Sequence, residues 1–158
     1  VRIPTLREVY GLMRPLGLYL NVEIKCDVVM YFGIWDKLAA LENEMGMQGR
    51  ILYSSFNHEV LPHMRALNPE ASIGLLYNRA PRHPLRDAAR MQANAVHPPY
   101  RALLRRPRIA ADCKNAGLLV HTWTVDDPAA IAALARAGVD AIITNRPDTA
   151  LRTLHAME

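Results

Sequence analysis

Cysteine is scarce in this chain. Cys26 and Cys113 are too few for a disulfide framework and show no metal-ligand spacing, which leaves two free thiols and points to a reducing, cytoplasmic setting. Long apolar runs are missing as well. None approaches the roughly 20 residues that cross a bilayer, and Val1-Arg2-Ile3-Pro4 lacks the apolar core of a signal peptide, so no stable membrane insertion is expected. Acid is absent from one segment: Arg79, Arg82, Arg86, Arg90, Arg101, Arg105, Arg106 and Arg108 fall within thirty residues whose single acid is Asp87. Such a segment attracts anions. Aromatic interleaving of the kind that stacks on single-stranded nucleic acid is limited there to Tyr100, and nucleic acid is therefore not expected as a partner.

What remains is an ordinary globular composition. With 51% hydrophobic and 22% charged residues over 158 positions, the chain is long enough for one domain with a proper core, and disorder is excluded.

Strand and helix signals alternate from end to end. Thr5 is placed to cap a helix over 6–14 that Pro15 and Gly17 break, and 18–25 follows as a strand. A loop or lid over 27–32 precedes a helix over 34–45, closed by Gly46, and a strand over 51–55. Asn57 caps a helix through residue 67 that Pro62 should bend or shorten at its start, and 72–76 is a short strand. Residues 78–90 read as a long irregular loop, 93–96 as a very short strand, and 100–115 as a helix interrupted by Pro107. The strand over 118–125 is the clearest. Asp127-Pro128 opens a helix that stops at Gly138, a last strand covers 139–144, and a helix near 148–156 closes the chain.

Six strands separated by helices imply parallel βα units. A doubly wound sheet would make its strands apolar on both faces, which suits Ala141-Ile142-Ile143 but not Asn21/Glu23/Lys25 or His121/Trp123. A TIM-type (β/α)8 barrel tolerates polar groups on the inward face near its C-terminal mouth and fits better. In Asn21-Val22-Glu23-Ile24-Lys25, residues i and i+2 share a face, so Asn21, Glu23 and Lys25 lie together opposite Leu20, Val22 and Ile24. A structural Glu-Lys pair and a metal or phosphate site at a strand end both satisfy that pattern.

Four fragments in order narrow the choice: Ile3-Pro4-Thr5-Leu6-Arg7-Glu8-Val9; Asn21-Val22-Glu23-Ile24-Lys25; Ser54-Ser55-Phe56; and Trp123-Thr124-Val125 with the closing run from Gly138 to Asp148. Together they resemble the glycerophosphodiester phosphodiesterase family over nearly the whole chain. The resemblance implies an α/β barrel, incomplete here, with about six βα units and the first two strands missing, the whole of 1–158 forming one C-terminal piece of the domain. It implies a metal-dependent hydrolase that splits glycerophosphodiesters into glycerol 3-phosphate and an alcohol. Glu23 matches a carboxylate ligand of a divalent cation, Ca²⁺ or Mg²⁺. Lys25 matches a catalytic lysine assigned to the phosphate. Trp123 and Phe56 match residues lining the substrate cleft. His97, after a short strand, is placed to contact substrate, a histidine satisfied by its neighbours being the other reading; His121, on the face of Trp123, is expected to be packed and hydrogen-bonded. His58, His63 and His83 receive no role.

The family's two histidines and further acidic ligands precede the segment with which this chain begins, so the fragment alone is expected to be inactive. Asn145 stands where the family more often has Asp, and Asp126 where it often has Asn. Six strands would leave two edges open, to be covered by a missing N-terminal segment or by a second copy in a homo-oligomer. A noncatalytic truncated barrel, acting as an oligomerising or binding module, is the alternative reading. Another barrel phosphodiesterase, acting on lysophospholipids or sphingomyelin, is a third.

Overall fold

The computed structural model describes residues 2–157, and the chain divides after Gly74 into two compact units.

The first unit begins with α1 (Leu6–Met13). Thr5 and Glu8 cap it reciprocally: the Glu8 N–H donates to Thr5 Oγ1 at 3.3 Å, and the Thr5 N–H donates to Glu8 Oε2 at 2.8 Å. Strand β1 (Leu20–Glu23) runs parallel to β2 (Ile51–Ser55), with Glu23 beside Ser54 in the register. The expected alternation holds through this stretch. Ile24 and Cys26 are buried, Leu20 and Val22 half-buried, while Asn21, Glu23 and Lys25 face outward. Between the strands lies α2 (Ile34–Met45), ended by Gly46 at φ 61°, a left-handed turn that favours glycine.

After β2 a single 3₁₀ turn (His58–Val60) leads into α3 (Leu61–Leu67), which packs on α2, with Trp35 stacked on His63 at 4.3 Å between ring centres. Pro62 falls in the first turn of α3, where its missing N–H is harmless, so of the two effects expected of it the shortened start is the one that occurs. Tyr10, Tyr53, Met47, Leu61 and Met64 form the core of this unit, and Glu42 is buried among the polar residues. Its carboxylate accepts from Tyr53 Oη at 2.8 Å and Asn68 Nδ2 at 3.3 Å, and burial raises its pKa. Strand β3 (Ser72–Leu76) starts here and ends in the second unit.

In that unit follow α4 (Pro84–Met91), β4 (Ala95–His97), α5 (Tyr100–Arg105), α6 (Arg108–Asn115), β5 (Leu119–Thr122), α7 (Pro128–Arg136), β6 (Ala141–Ile142) and α8 (Pro147–His155). The Tyr77 N–H donates to the His97 carbonyl at 3.1 Å, and β4, β5 and β6 pair in parallel order. Asp127 caps α7 as expected, its Oδ2 accepting from the Ala130 N–H at 2.8 Å ahead of Pro128. Leu75, Val96, Leu103, Val120, Ile131 and Leu134 are fully or almost fully buried.

One expectation needs correction. The stretch read as an irregular loop contains α4: Pro84 starts it in its first turn and Ala88 and Met91 supply its buried side, a signal that the surrounding arginines obscured. The interruption expected at Pro107 is present: Pro107 has no N–H to continue α5 and precedes α6. No helix of the described residues is long and apolar enough to cross a membrane.

Candidate active site

At the end of β1 an open cavity of about 340 Å³ is lined by Glu23, Lys25, Asp27, Val28, Val29, Tyr31 and Phe56. Three of the expected site residues, Glu23, Lys25 and Phe56, thus share one pocket. Lys25 Nζ lies 3.5 Å from Glu23 Oε1, and its side chain is 77% exposed against 32% for the glutamate. An ammonium that open keeps its hydration and stays free to meet an incoming anion.

The backbone beneath this pair is held by residues that carry no charge. Ser55 Oγ donates to the Ile24 carbonyl at 2.6 Å and accepts from the Asn57 N–H at 3.1 Å, while Asn57 Nδ2 donates to the Cys26 carbonyl at 3.0 Å. Lys25 is therefore clamped on both flanks by the turn that follows β2. The clamp was not anticipated from the sequence. Its signal, hydroxyl and amide residues directly after a strand, is common to many turns. On the face of Glu23, the buried Ser54 Oγ has no hydrogen-bond partner among the described residues.

The second unit holds the other expected residues. Trp123, half-buried after β5, donates from Nε1 to the His97 carbonyl at 2.8 Å, and the Trp123 carbonyl accepts from the Tyr100 N–H at 3.0 Å. The His97 side chain has no exposed surface and both ring nitrogens lack partners among the described residues, with the His121 ring 4.8 Å away. Burial, reinforced by His121, lowers its pKa to about 3. The ring is enclosed and neutral, whereas its position was expected to face the barrel mouth. His121 is half-buried and its pKa is lowered by burial, an effect that Asp140 opposes.

Further along, Asp126 accepts from the Asn145 N–H at 2.8 Å, from Asn145 Nδ2 at 3.1 Å and from Thr144 Oγ1 at 2.9 Å. These bonds, led by Asn145, hold its carboxyl below the usual carboxylate range.

The sequence profile of the Glycerophosphoryl diester phosphodiesterase family matches residues 2–149. The chain belongs to this family. It is 38% identical over 148 residues to a glycerophosphodiester phosphodiesterase of Caldanaerobacter subterraneus, covering 94% of this chain and 60% of that protein. A crystal structure from Galdieria sulphuraria, provisionally named a glycerophosphodiester phosphodiesterase, superposes with a TM-score of 0.87 at 28% identity over 97% of this chain and 64% of the other. An Oleispira antarctica phosphodiesterase in complex with the product sn-glycerol-3-phosphate gives a TM-score of 0.80 at 25% identity, over 97% of this chain and 62% of that one. The fold is accordingly the family's TIM-type barrel, incomplete in this chain, and the chain spans about three-fifths of the length of these relatives.

Asp126 and Asn145, the two positions at which the sequence departs from the pattern it resembles, are hydrogen-bonded to each other. A divalent cation is a different matter. Hard cations want six or more oxygens, yet among the described residues no three His, Cys, Asp or Glu side chains are grouped to hold one. The ammonium of Lys25 stands beside the one carboxylate, Glu23, that the family resemblance assigns to the metal. The residues present do not by themselves make a cation site.

Proposed function

We propose that this chain forms part of the catalytic domain of a hydrolase that splits glycerophosphodiesters into glycerol 3-phosphate and an alcohol. The observation that carries the reading is the Glu23–Lys25 pair in one open pocket with Phe56, its backbone clamped by Ser55 and Asn57, in a chain of this family. The phosphate of a bound diester would sit against the Lys25 ammonium, whose charge matters most where the transition state gathers negative charge on the phosphoryl oxygens. Phe56 offers an apolar wall for the glycerol or alcohol carbons; Trp123, whose indole N–H is held by the His97 carbonyl, is proposed as a substrate-contacting residue of the second unit. His97 supports that tryptophan from behind, and proton transfer falls to groups other than the buried His97 ring.

Glu23 is proposed as one oxygen ligand of a Ca²⁺ or Mg²⁺ ion, completed in a protein of the relatives' full length by groups that the described residues do not provide. The product named for the Oleispira relative, sn-glycerol-3-phosphate, is consistent with the same reaction class.

Release of glycerol 3-phosphate from glycerophosphocholine, followed with the protein in its natural length with and without added Ca²⁺ or Mg²⁺, tests the reading. Turnover that Glu23→Ala abolishes is expected. Lys25→Ala should lower kcat on the order of 10²-fold, with a smaller change in KM. An effect on KM alone would remove the transition-state role of Lys25, and absence of turnover with either cation would reject the reading as a whole.

A further inference from the structure

The acid-poor segment becomes a surface in the second unit. Two open clefts of about 400 and 390 Å³ adjoin there, sharing Arg106: the first is lined also by Arg79, Arg101 and Arg105, the second by Arg82 and Arg86. The clefts lie over α4, α5 and α6, which pack on one another outside β4, a strand already bonded on both of its sides. This is an outward helical face and not a raw sheet edge.

The charge on it is compensated only in part. Among the described residues Arg79, Arg82, Arg105 and Arg106 have no acidic partner. Asp87 is engaged by Arg86 at 3.9 Å and by Tyr77 Oη at 3.2 Å, and Asp112 is the one carboxylate lining either cleft. Folding gains nothing from gathering like charges in this way, so a ligand that brings the opposite charge accounts for the arrangement better than packing does. Every cation named is a guanidinium, the group whose planar fork meets phosphate oxygens two at a time.

We propose that this arginine face docks on an anionic phospholipid bilayer. Interfacial binding needs apolar contact as well as charge, and Leu85 and Leu104 stand 40% and 44% exposed among the arginines. Nucleic acid fits less well. The aromatic ring available for stacking is that of Tyr100, already covered by the Arg101 guanidinium at 5.6 Å, whose Nε donates to the tyrosine hydroxyl at 3.2 Å.

The proposal goes beyond the hydrolase reading and is tested without turnover. The protein in its natural length is sedimented with vesicles of phosphatidylcholine alone and of phosphatidylcholine with phosphatidylglycerol, over a series of salt concentrations. Retention is expected on the anionic vesicles only, weakening as salt rises. The pair Arg105→Gln/Arg106→Gln should lose about tenfold or more in affinity, and Leu104→Gln, which keeps every charge, should weaken binding at high salt. Arg152→Gln, on α8 and paired with Asp148, should change nothing. Equal retention on both vesicles, no retention, or binding indifferent to both the arginine pair and Leu104 would overturn the proposal, as would retention by RNA in the absence of vesicle binding.

Discussion

Lys25 illustrates how a functional position depends on residues that share none of its chemistry. Its ammonium stands in the open pocket, but the backbone that aims it is held by Ser55 and Asn57, thirty-one residues downstream of the carbonyls they bind. Ser55→Ala would leave the buried Ile24 carbonyl without that donor, at a cost of about 1–3 kcal/mol. Denaturant melts should show that loss, and glycerophosphocholine turnover should fall with Lys25 itself intact. His97 makes a second prediction. Its ordinary pKa of 6.5 is lowered to about 3 in the folded protein. Below the ordinary value the unfolded chain takes up a proton that the native ring refuses, so stability present above it is lost as the pH falls toward the folded value. The loss should amount to a few kcal/mol, since each pH unit between the two values is worth about 1.4 kcal/mol. Unfolding curves recorded between neutral and acid pH should show it, and the variant His97→Phe should lack this acid-sensitive component. The alternation that sets Glu23 and Lys25 on one face is legible in the sequence, because side chains alternate along any strand. The clamp under Lys25 is not, because a side-chain bond to a distant carbonyl exists only once two strands lie in register.

Among the elements, those with a complete local code appear where they were expected. Thr5 and Glu8 at the start of α1, Gly46 at the end of α2 and Asp127-Pro128 at the start of α7 each satisfy orphan backbone groups within a few residues. Thr5→Ala should cost about 1 kcal/mol in chemical denaturation, the usual worth of such a cap. Helix α4 escaped notice because its arginines dominate its composition, while its start depends on Pro84 and its buried side on Ala88 and Met91. The buried Glu42 between α2, β2 and the chain after α3 marks a further tertiary choice. Burial raises its pKa, so the folded state favours the protonated form. Stability from this group is complete below the ordinary carboxyl range and declines as pH rises through the raised value. Glu42→Gln keeps an acceptor for Tyr53 and should flatten that decline, visible as a smaller difference in unfolding midpoint between mildly acid and neutral solutions.

For the molecule as a whole, the first unit leaves the far side of β1 without a strand partner among the described residues, and Leu12, Leu16, Leu18 and Tyr19 are exposed nearby in sequence. Free strand edges and uncovered apolar side chains invite pairing. The 158-residue chain by itself should therefore self-associate as its concentration rises, as measured by light scattering; a monomer across the whole accessible range would count against that expectation. An oligomer that fails to hydrolyse glycerophosphocholine, even in its natural length, would favour the noncatalytic module over the hydrolase.

The order of the strands, the helices other than α4, the family's barrel and the shared face of Glu23 and Lys25 were determined by the sequence alone. They rest on periodicity, capping and short fragments whose meaning is complete within a few residues. The enclosure of His97, the clamp on Lys25, the pairing of Asp126 with Asn145 and the gathering of arginines from loops and two helices onto one face were decided only by the tertiary structure. Burial, pairing and proximity join residues tens of positions apart, and no local pattern along the chain encodes which of them will meet.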